Sequence, residues 1–270
     1  MVKNLGDKVE ATAIENIPDT AASQKTFEDL VRKGYKLIFA TSFGYMEPML
    51  AVAKANPGVC FEHATGYKTA ANMGTYFGAA EEARYLSGIA AGKATKANKI
   101  GYVAAFPIPE VLRGINAFTL GVQSVNPTAT VQVAWTSTWF DPDKEKQAAE
   151  SLLAAGADVL AQHQDSTATG LAAKAKGAKW LGYNDDQSSA APDSWLTGPM
   201  WDWGPYYTKT AQSVIDGKCP ADQYYGNMKD GLVMLAPFGS SVDQATKDLI
   251  DQKKQAIIDG SLQIFKGPIM

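Results

Sequence analysis

Short apolar runs alternate with helically spaced apolar residues along nearly the whole chain. In the first clear helix, residues 23–32, Phe27 is followed by Leu30 and Val31 at helical spacing. The pattern predicts further helices at 46–55, 74–92, 109–124, 143–155, 168–176, 205–216 and 242–259, and strands at 9–14, 36–41, 58–64, 99–104, 129–135, 157–163, 178–183 and 231–235. This alternation predicts an α/β fold with mostly parallel sheets that helices cover on both faces.

The strands are too many for one doubly wound sheet, so we expect two doubly wound lobes joined by a hinge. The segment FPIPE (106–110) is the best hinge candidate, because its two prolines interrupt the rhythm near the middle of the chain. A second crossing fits APFGSS (236–241), just before the last helix. The expected lobes are 1–105 plus 237–262, and 106–236 plus 263–270. Several crossings between two lobes make a clamshell, which suits ligand capture by closure.

The N-terminus does not show the first strand of such a lobe, which normally lies in the middle of the sheet. Residues 2–7, VKNLGD, read as the tail of a helix and lead directly into the strand at 9–14. We therefore expect the central strand of the first lobe to lie outside this sequence, which leaves two unpaired strand edges. MVKNLGDKVE also lacks the apolar region of a signal peptide, so the protein is either cytosolic or has lost its targeting segment.

Composition and charge exclude several classes of partner. The 270 residues carry a formal net charge of -3 without a basic stripe, which argues against nucleic acid. No apolar run approaches the roughly 20 residues that span a bilayer, so we expect membrane attachment only through a lipid anchor outside this chain. Cys60 and Cys219 stand far apart in unlike contexts, and we expect two free thiols rather than a disulfide or a metal site.

Polar and aromatic residues cluster directly after predicted strands, at the sheet edge where open α/β sheets bind ligands. The candidate ligand-binding residues are Ser42, Phe43, Arg113, Trp139, Phe140, His163, Asp165, Asp186, Trp201 and Asp202. Their aromatic rings offer flat apolar faces, and their carboxylates, imidazole and guanidinium offer directional hydrogen bonds. This combination suits a flat, nitrogen-rich ring that is stacked on its faces and hydrogen-bonded at its edge.

Several residues in these clusters have a structural alternative. Glu110 lies near a helix N-terminus, where a carboxylate stabilises the helix dipole, and this role is as well supported as a functional one. Asp141, followed by Pro142, is most simply a helix N-cap. His63 reads as a structural histidine, because no ladder of carboxylates or cysteines accompanies it.

Catalysis and cofactor binding have no supporting motif. The chain has no G-x-S-x-G elbow, no P-loop and no G-x-G-x-x-G after its first strand. The pair Asp185-Asp186 could be combined with His163 and Asp165 for acid–base chemistry, but no nucleophile or reaction is indicated. We therefore predict a binding protein without catalytic residues, metal or cofactor.

Six segments carry a family resemblance: TSFGYMEP, FEHATGY, GYVAAFPIPEVLRGINAFTLG, TSTWFDPDKEKQAA, GADVLAQHQDS and WGPYY. Together they resemble the basic membrane protein family, which comprises purine-nucleoside-type substrate-binding proteins of ABC transporters. The resemblance runs from about residue 5 to the end of the chain and implies a type I periplasmic-binding-protein clamshell with three crossings. It also implies a periplasmic or otherwise extracytoplasmic protein, often a lipoprotein, that hands a ligand from its interlobe cleft to an ABC permease.

The same resemblance implies which residues line the cleft: Phe43, Trp139, Phe140, His163, Asp165 and Asp186. The chain departs from the family in two places. The family's first loop, with a stacking ring and polar groups, has no counterpart here. In addition, Trp201 stands where nucleoside-binding members commonly place a lysine that contacts ribose. Because the indole would fill the ribose space, we expect a free purine base, adenine first, rather than a nucleoside.

Two other classes of function remain open. The same clamshell serves as the ligand-sensing effector domain of transcriptional regulators, although no helix-turn-helix precedes residue 1 in this sequence. An enzyme that acts on nucleosides is the other alternative, and it would release free base from a nucleoside in a turnover assay.

Overall fold

Strands and helices alternate in the computed structural model, which describes residues 1–265 of the chain. The α-helices are α1 (Val2–Leu5), α2 (Ser23–Arg32), α3 (Met46–Ala55), α4 (Ala80–Ala94), α5 (Pro109–Val125), α6 (Pro142–Ala154), α7 (Ala168–Ala175), α8 (Gly204–Ile215) and α9 (Gln244–Ile258). The strands are β1 (Leu37–Ala40), β2 (Cys60–Ala64), β3 (Met73–Gly78), β4 (Lys99–Ala104), β5 (Thr130–Trp135), β6 (Val159–His163), β7 (Lys179–Leu181), β8 (Trp195–Thr197), β9 (Pro199–Trp201), β10 (Gln223–Gly226) and β11 (Val233–Leu235). The predicted α/β class is confirmed.

The chain divides into two compact units whose boundaries differ from those of the predicted lobes. The first unit holds Met1–Gly78 and Asp202–Gly226, and the second holds Ala79–Trp201 and the described residues from Asn227 onward. The proline-containing segment FPIPE connects β4 with α5 inside the second unit rather than joining two units. APFGSS also lies inside the second unit. Residues 266–270, which the sequence assigned to the second lobe, lie outside the described residues.

The first unit contains a four-stranded parallel sheet in the order β1-β2-β3-β10. Phe27 of α2 and Met49 of α3 pack against Ile38, Phe61 and Met73 of the sheet, and all five side chains are buried. Burial of each such side chain contributes roughly 1.5–3 kcal/mol before entropy is counted. This apolar contact is therefore the main attachment of α2 and α3 to the sheet.

Tyr206 of α8 packs against two tyrosines of the sheet in the same unit. The ring of Tyr206 stacks on Tyr76 and Tyr224, with centroid distances of 5.0 and 4.4 Å. Its hydroxyl donates a hydrogen bond of 2.8 Å to Oε2 of Glu62 on β2. Because neighbouring residues of a strand face opposite sides of the sheet, Glu62 points away from the apolar contact that Phe61 makes.

Cys60 of β2 and Cys219 form a disulfide, so the prediction of two free thiols is wrong. The two cysteines are 159 residues apart in sequence, and no spacing rule pairs residues at that distance. The fold brings them together because β10, which follows Cys219, pairs with β3 next to β2. Their Cα atoms are 5.5 Å apart, and such bonds persist in oxidising compartments.

Residues 9–14, which were predicted as a strand, form no strand in the structure. A strand requires backbone hydrogen bonds to a neighbour, and none of the described strands pairs with this segment. Most of the segment is exposed, including 46% of Ile14. A hydrogen bond of 2.8 Å from the Tyr35 hydroxyl to Thr12 Oγ1 holds it to the first unit.

The second unit contains a five-stranded parallel sheet in the order β5-β4-β6-β7-β8. The chain leaves β4, forms β5 on one side of it, and then returns to form β6 on the other side. This reversal is the topological switch point of a doubly wound sheet, and the crevice outside the carboxyl ends of the strands at this point is where such sheets bind ligands. A short antiparallel pair, β9 and β11, also belongs to this unit.

Two buried tryptophans anchor the core of the second unit. Trp180 of β7 and Trp195 of β8 meet edge to face with centroids 5.0 Å apart. Leu152 of α6 packs with them, together with Val103 and Leu160 of the central strands. This core attaches α6 to the sheet whose loops after β4, β5 and β6 carry candidate site residues.

Candidate functional site

The loops at the switch point of the second unit carry aromatic rings. Phe106 follows β4, Trp139 follows β5, and His163 is the last residue of β6. The ring centroid of Trp139 lies 5.5 Å from that of Phe106 and 6.3 Å from that of His163. Phe106 and Trp139 are half-buried, whereas His163 is fully buried. Two partly accessible aromatic rings therefore lie beside a buried imidazole.

Hydrogen bonds hold Asp165 beside Trp139. The backbone N–H of Asp165 donates to the carbonyl of Trp139 at 3.1 Å. The indole Nε1 of Trp201 donates to Oδ1 of Asn184 at 2.8 Å, and Nδ2 of Asn184 donates to Oδ1 of Asp165 at 3.2 Å. An indole N–H can only donate, so the Asn184 amide oxygen faces Trp201 and its NH₂ faces Asp165. This orientation keeps the Asp165 carboxylate as an acceptor.

Glu110 enters the same region from the first turn of α5. Its Oε1 accepts a hydrogen bond of 3.5 Å from the Tyr183 hydroxyl and lies 3.6 Å from Nε2 of His163. Burial raises the pKa of Glu110 to about 7, although the positive charges of Arg113 and Arg84 and the Tyr183 hydrogen bond counteract part of the rise. Near neutral pH the carboxyl group therefore exists in both protonation states.

A buried cation lies next to Tyr183. Arg84 of α4 is fully buried, and its guanidinium carbon lies 4.4 Å from the ring centroid of Tyr183 and 5.4 Å from that of Tyr102. The ring faces stabilise the cation electrostatically. Burial and the charge of Arg84 lower the pKa of His163 well below its usual value, so the imidazole is neutral.

Glu145 of α6 joins the loops that follow β5 and β6. Its buried carboxylate accepts hydrogen bonds from the Ser166 hydroxyl at 2.5 Å and from the backbone N–H of Asp141 at 3.1 Å. Asp165 is exposed at the surface of its loop. Nevertheless, the neighbouring protein atoms remove part of the water around its carboxylate, and this desolvation, with a smaller contribution from the charge of Glu145, raises the pKa of Asp165 to about 6. Asp165 thus lies on a firmly held loop and titrates below neutral pH.

The predicted N-cap at the start of α6 is confirmed. Oδ1 of Asp141 accepts a hydrogen bond of 3.1 Å from the backbone N–H of Lys144, and Pro142 is the first helical residue. Asp141 is therefore a structural residue that begins α6 directly below the Trp139 loop.

Three other predicted site residues of the second unit make different contacts. Arg113 Nε lies 3.6 Å from Oε2 of Glu81, and the side chain of Phe140 is 60% exposed. Asp186 is exposed, and its Oδ1 accepts from the backbone N–H of Ser188 at 3.0 Å, which is the contact of an Asx turn. Whether these three residues also contact a ligand stays a prediction.

Ser42, Phe43 and Asp202 belong to the first unit. Phe43 begins a short 3₁₀ turn after β1, and the Ser42 carbonyl accepts a hydrogen bond of 2.8 Å from Nε2 of His63. His63 is fully buried, and burial lowers its pKa, as expected for a structural histidine. Oδ1 of Asp202 accepts from the backbone N–H of Gly204 at the start of α8. The ligand-binding roles of Ser42, Phe43 and Asp202 stay predictions.

The sequence prediction missed four residues of this site. Phe106 and Asn184 directly follow strands, so the rule that selected Trp139 could also have selected them. Tyr183 is the last residue of a predicted strand, and the pattern gives it only a structural role. Arg84 lies inside α4, where a charged residue is ordinarily exposed to solvent, so the sequence gives no sign that it is buried.

Neither a metal centre nor a membrane-crossing helix is found among residues 1–265. No three His, Cys, Asp or Glu side chains gather there in a group that could hold a metal ion. No helix in that range is both long enough and apolar enough to cross a membrane.

Doubly wound α/β units bind ligands preferentially at the topological switch point, where this unit carries aromatic rings and hydrogen-bond acceptors. Residues 2–264 match the profile of a family described as ABC transporter substrate-binding protein PnrA-like, and the chain belongs to this family. The resemblance to basic membrane proteins is thereby confirmed. Proteins of this family bind solutes outside the cytoplasmic membrane, and their partners are a small-molecule ligand and an ABC permease.

Two curated relatives and one solved structure show how close the similarity is. The chain is 46% identical over 269 residues to a purine-binding protein of Brucella abortus, covering 100% of this chain and 77% of that protein. It is 44% identical over 245 residues to a putative ABC transporter glucose-binding protein of Haloferax volcanii, covering 91% of this chain and 63% of that protein. An ABC transporter solute-binding protein of Conexibacter woesei has the same fold, with a TM-score of 0.75, 22% identity, and coverage of 98% and 92%.

Proposed function

We propose that the second unit binds a free purine base, with adenine as the preferred ligand, for delivery to an ABC permease. The observation that carries the proposal is the placement of Trp139, Phe106 and Asp165 together at the switch point of one parallel sheet. The two rings offer stacking surfaces, and the carboxylate offers an acceptor for the edge of a base.

Stacking supplies affinity that depends little on which base is bound. Every purine has a flat π-face, and stacking on an aromatic side chain contributes about 1–3 kcal/mol per base. The indole of Trp139 is the larger of the two rings, and Glu145 joins the loop that carries Trp139 to the loop that carries Asp165 before the ligand arrives. Such preorganisation lowers the entropy lost on binding.

Hydrogen bonds at the edge supply selectivity among flat rings. The Asp165 carboxylate accepts hydrogen bonds, whereas the ring N–H groups and the exocyclic amine of a purine donate them. The hydrogen bond from Trp201 fixes the orientation of the Asn184 amide beside Asp165, so the donors and acceptors of the site have one arrangement. A site built to bond a polar group discriminates strongly against an analogue that lacks it.

Trp201 favours a free base over a nucleoside. The family resemblance implies that its side chain stands where nucleoside-binding members hold ribose, and its indole N–H donates a hydrogen bond to Asn184. A ribose would then have to displace a bulky ring. We therefore propose that adenosine binds more weakly than adenine and is recovered unchanged after incubation with the protein.

A hexose is the second candidate ligand, because a 44% identical relative bears the name of a putative glucose-binding protein. Sugars also stack on tryptophan and bond to carboxylates and amides. The purine proposal is preferred because a second ring, Phe106, lies beside Trp139, which suits a ligand that is aromatic throughout.

Calorimetric titration with adenine, guanine, adenosine and glucose tests the proposal. We expect adenine to bind most tightly, and Trp139→Ala to weaken its affinity about 10- to 100-fold, because a stacking contact of about 1–3 kcal/mol is lost. Trp135→Ala is the matched control: it lies four positions earlier at the end of β5 with 41% of its surface exposed, and we expect it to bind like the wild type. Glucose binding without adenine binding would contradict the proposal, and so would equal affinities of wild type and Trp139→Ala.

A further inference from the structure

One oxygen of Glu110 is left without a partner by the fold. Oε1 accepts from the Tyr183 hydroxyl, but Oε2 is buried and receives no hydrogen bond from any residue among 1–265. A carboxylate accepts several hydrogen bonds, and a buried acceptor without a donor is unfavourable. A ligand with an N–H group would remove this penalty.

Stabilisation of α5 does not account for the position of Glu110. A carboxylate that only interacts with a helix N-terminus can do so from solvent, whereas the side chain of Glu110 is 13% exposed. Its Oε1 lies 3.6 Å from Nε2 of His163, and the His163 ring lies 6.3 Å from that of Trp139. Glu110 therefore neighbours His163, and His163 in turn neighbours Trp139, the proposed stacking surface.

Charged and titratable groups face Glu110 from several elements: Arg84 on α4, Arg113 on α5, His163 at the end of β6, Asp165 after β6, and Tyr183 after β7. The two guanidinium groups favour the ionised carboxylate, whereas burial and the charge of Asp165 favour the protonated form. Neither cation belongs to Glu110 alone, because Arg113 lies against Glu81 and Arg84 lies over Tyr102 and Tyr183. The balance leaves the pKa of Glu110 at about 7.

We propose that Glu110 is a second ligand-binding carboxylate, and that an N–H group of the ligand replaces its proton on binding. The inference rests on the proposed function, because it requires a ligand that donates an N–H group. The ionised carboxylate only accepts hydrogen bonds, whereas the protonated group has its own hydrogen on one oxygen and offers fewer acceptor sites. Binding therefore moves the proton from Glu110 to the buffer and strengthens as the pH rises through the pKa.

Calorimetry of adenine binding measures this proton directly. In wild-type protein near pH 7, we expect the binding heat to depend on the ionisation enthalpy of the buffer, with about half a proton released per adenine. Between about pH 8 and about pH 6 the affinity should fall roughly tenfold, the change expected for one group with a pKa near 7.

Glu110→Gln keeps the shape of the side chain but carries no titratable proton. We expect this variant to release only the small fraction of a proton that Asp165 contributes near pH 7, to keep only the weaker pH dependence near pH 6 that comes from Asp165, and to bind adenine about tenfold more weakly at about pH 8. Asp165→Asn is the comparison within the site, and it should still release the Glu110 proton. Glu150→Gln, which changes a half-exposed carboxylate on α6 that pairs with Lys146, is the matched control and should behave like the wild type.

Each outcome supports or overturns the assignment. Proton release in Glu110→Gln as large as in the wild type, or its loss in Asp165→Asn alone, would overturn the role of Glu110. Adenine binding by wild-type protein without any proton exchange would overturn it too. If adenine does not bind to the wild-type protein, the proposed function itself is contradicted. That result differs from adenine binding without a contribution from Glu110, so the two failures can be distinguished.

Discussion

Glu62 of β2 carries a carboxyl group that is buried against α8 in the first unit, and 1% of the residue's surface is exposed. Burial raises its pKa to about 7, the hydrogen bond from Tyr206 lowers it, and the charge of Asp222 raises it further. Its ordinary value, which applies to the unfolded chain, is 4.5. Because the pKa is higher in the folded state, the folded protein binds more protons than the unfolded chain at pH values between the two pKa values.

The free energy of unfolding should therefore fall as the pH rises through about 7, because ionised Glu62 is unfavourable in the folded state. A difference of this size between the two pKa values corresponds to on the order of 3 kcal/mol. In Glu62→Gln we expect most of this pH-dependent loss between about pH 5 and pH 8 to disappear. Chemical denaturation of both proteins at the two pH values measures the effect.

Glu15→Gln, which changes an exposed carboxylate, is the control and should keep the wild-type pH dependence. Other titrating groups, Glu110 among them, contribute equally to wild type and variant, so the difference between the two isolates Glu62. Identical pH slopes in wild type and Glu62→Gln would show that Glu62 is not protonated in the folded protein.

Single residues of the candidate site were predictable only where they follow a predicted strand. Trp139 and Asp165 were found because they follow strands whose carboxyl ends meet at one sheet edge. Arg84 was not found, because its contacts with Tyr102 and Tyr183 join elements that are distant in sequence. Asp186 follows a strand as well, but its side chain closes its own turn, and a sequence cannot distinguish these two uses.

Helices α4 and α5 approach each other closely at two glycines. A Cβ atom added to Gly121 would overlap the carbonyl oxygen of Tyr85, and one added to Gly88 would overlap that of Phe118. In both cases the obstacle is backbone, which cannot rotate away. This crossing positions the two helices that carry Arg84 and Glu110.

Gly121→Ala should lower the free energy of unfolding by about 1–3 kcal/mol, the usual cost of overpacking. The loss is expected although alanine favours a helix by about 1 kcal/mol over glycine. Gly58→Ala is the control, because a Cβ at Gly58 would meet no atom within 4 Å. Denaturation showing Gly121→Ala as stable as the wild type would mean that the helices separate at no cost.

Long elements were predictable from periodicity, whereas short elements were predictable only where they lie within an apolar run. The strands expected at 99–104 and 157–163 and the helix at 109–124 agree with β4, β6 and α5 to within two residues. The strands β8, β9 and β10 have only three or four residues and contain proline, glycine or tryptophan, so they show no alternation. The strand β3 was absorbed into the helix predicted at 74–92, because its apolar residues run directly into those of α4.

The disulfide between Cys60 and Cys219 closes a loop of the chain that includes most of the residues of the second unit. Closing a loop of this length in the unfolded chain is expected to contribute about 3–5 kcal/mol to stability. Reductant should therefore lower the thermal midpoint of the oxidised protein. The Cys60→Ser/Cys219→Ser double variant should start from the lower midpoint and not respond to reductant.

Thiol titration of the denatured, unreduced protein gives a direct count. We expect no free thiol in protein purified from an oxidising compartment, which agrees with the extracytoplasmic location of the family. Two free thiols in that sample would contradict the disulfide, and so would a thermal midpoint that reductant leaves unchanged.

The ligand that the purified protein holds shows whether this family member carries a free purine base. Native mass spectrometry of the purified protein, followed by denaturation and identification of the released small molecule, makes the measurement. We expect a complex that is heavier than the chain by the mass of one purine base, with adenine recovered. A released hexose, or a nucleoside in place of the base, would contradict it.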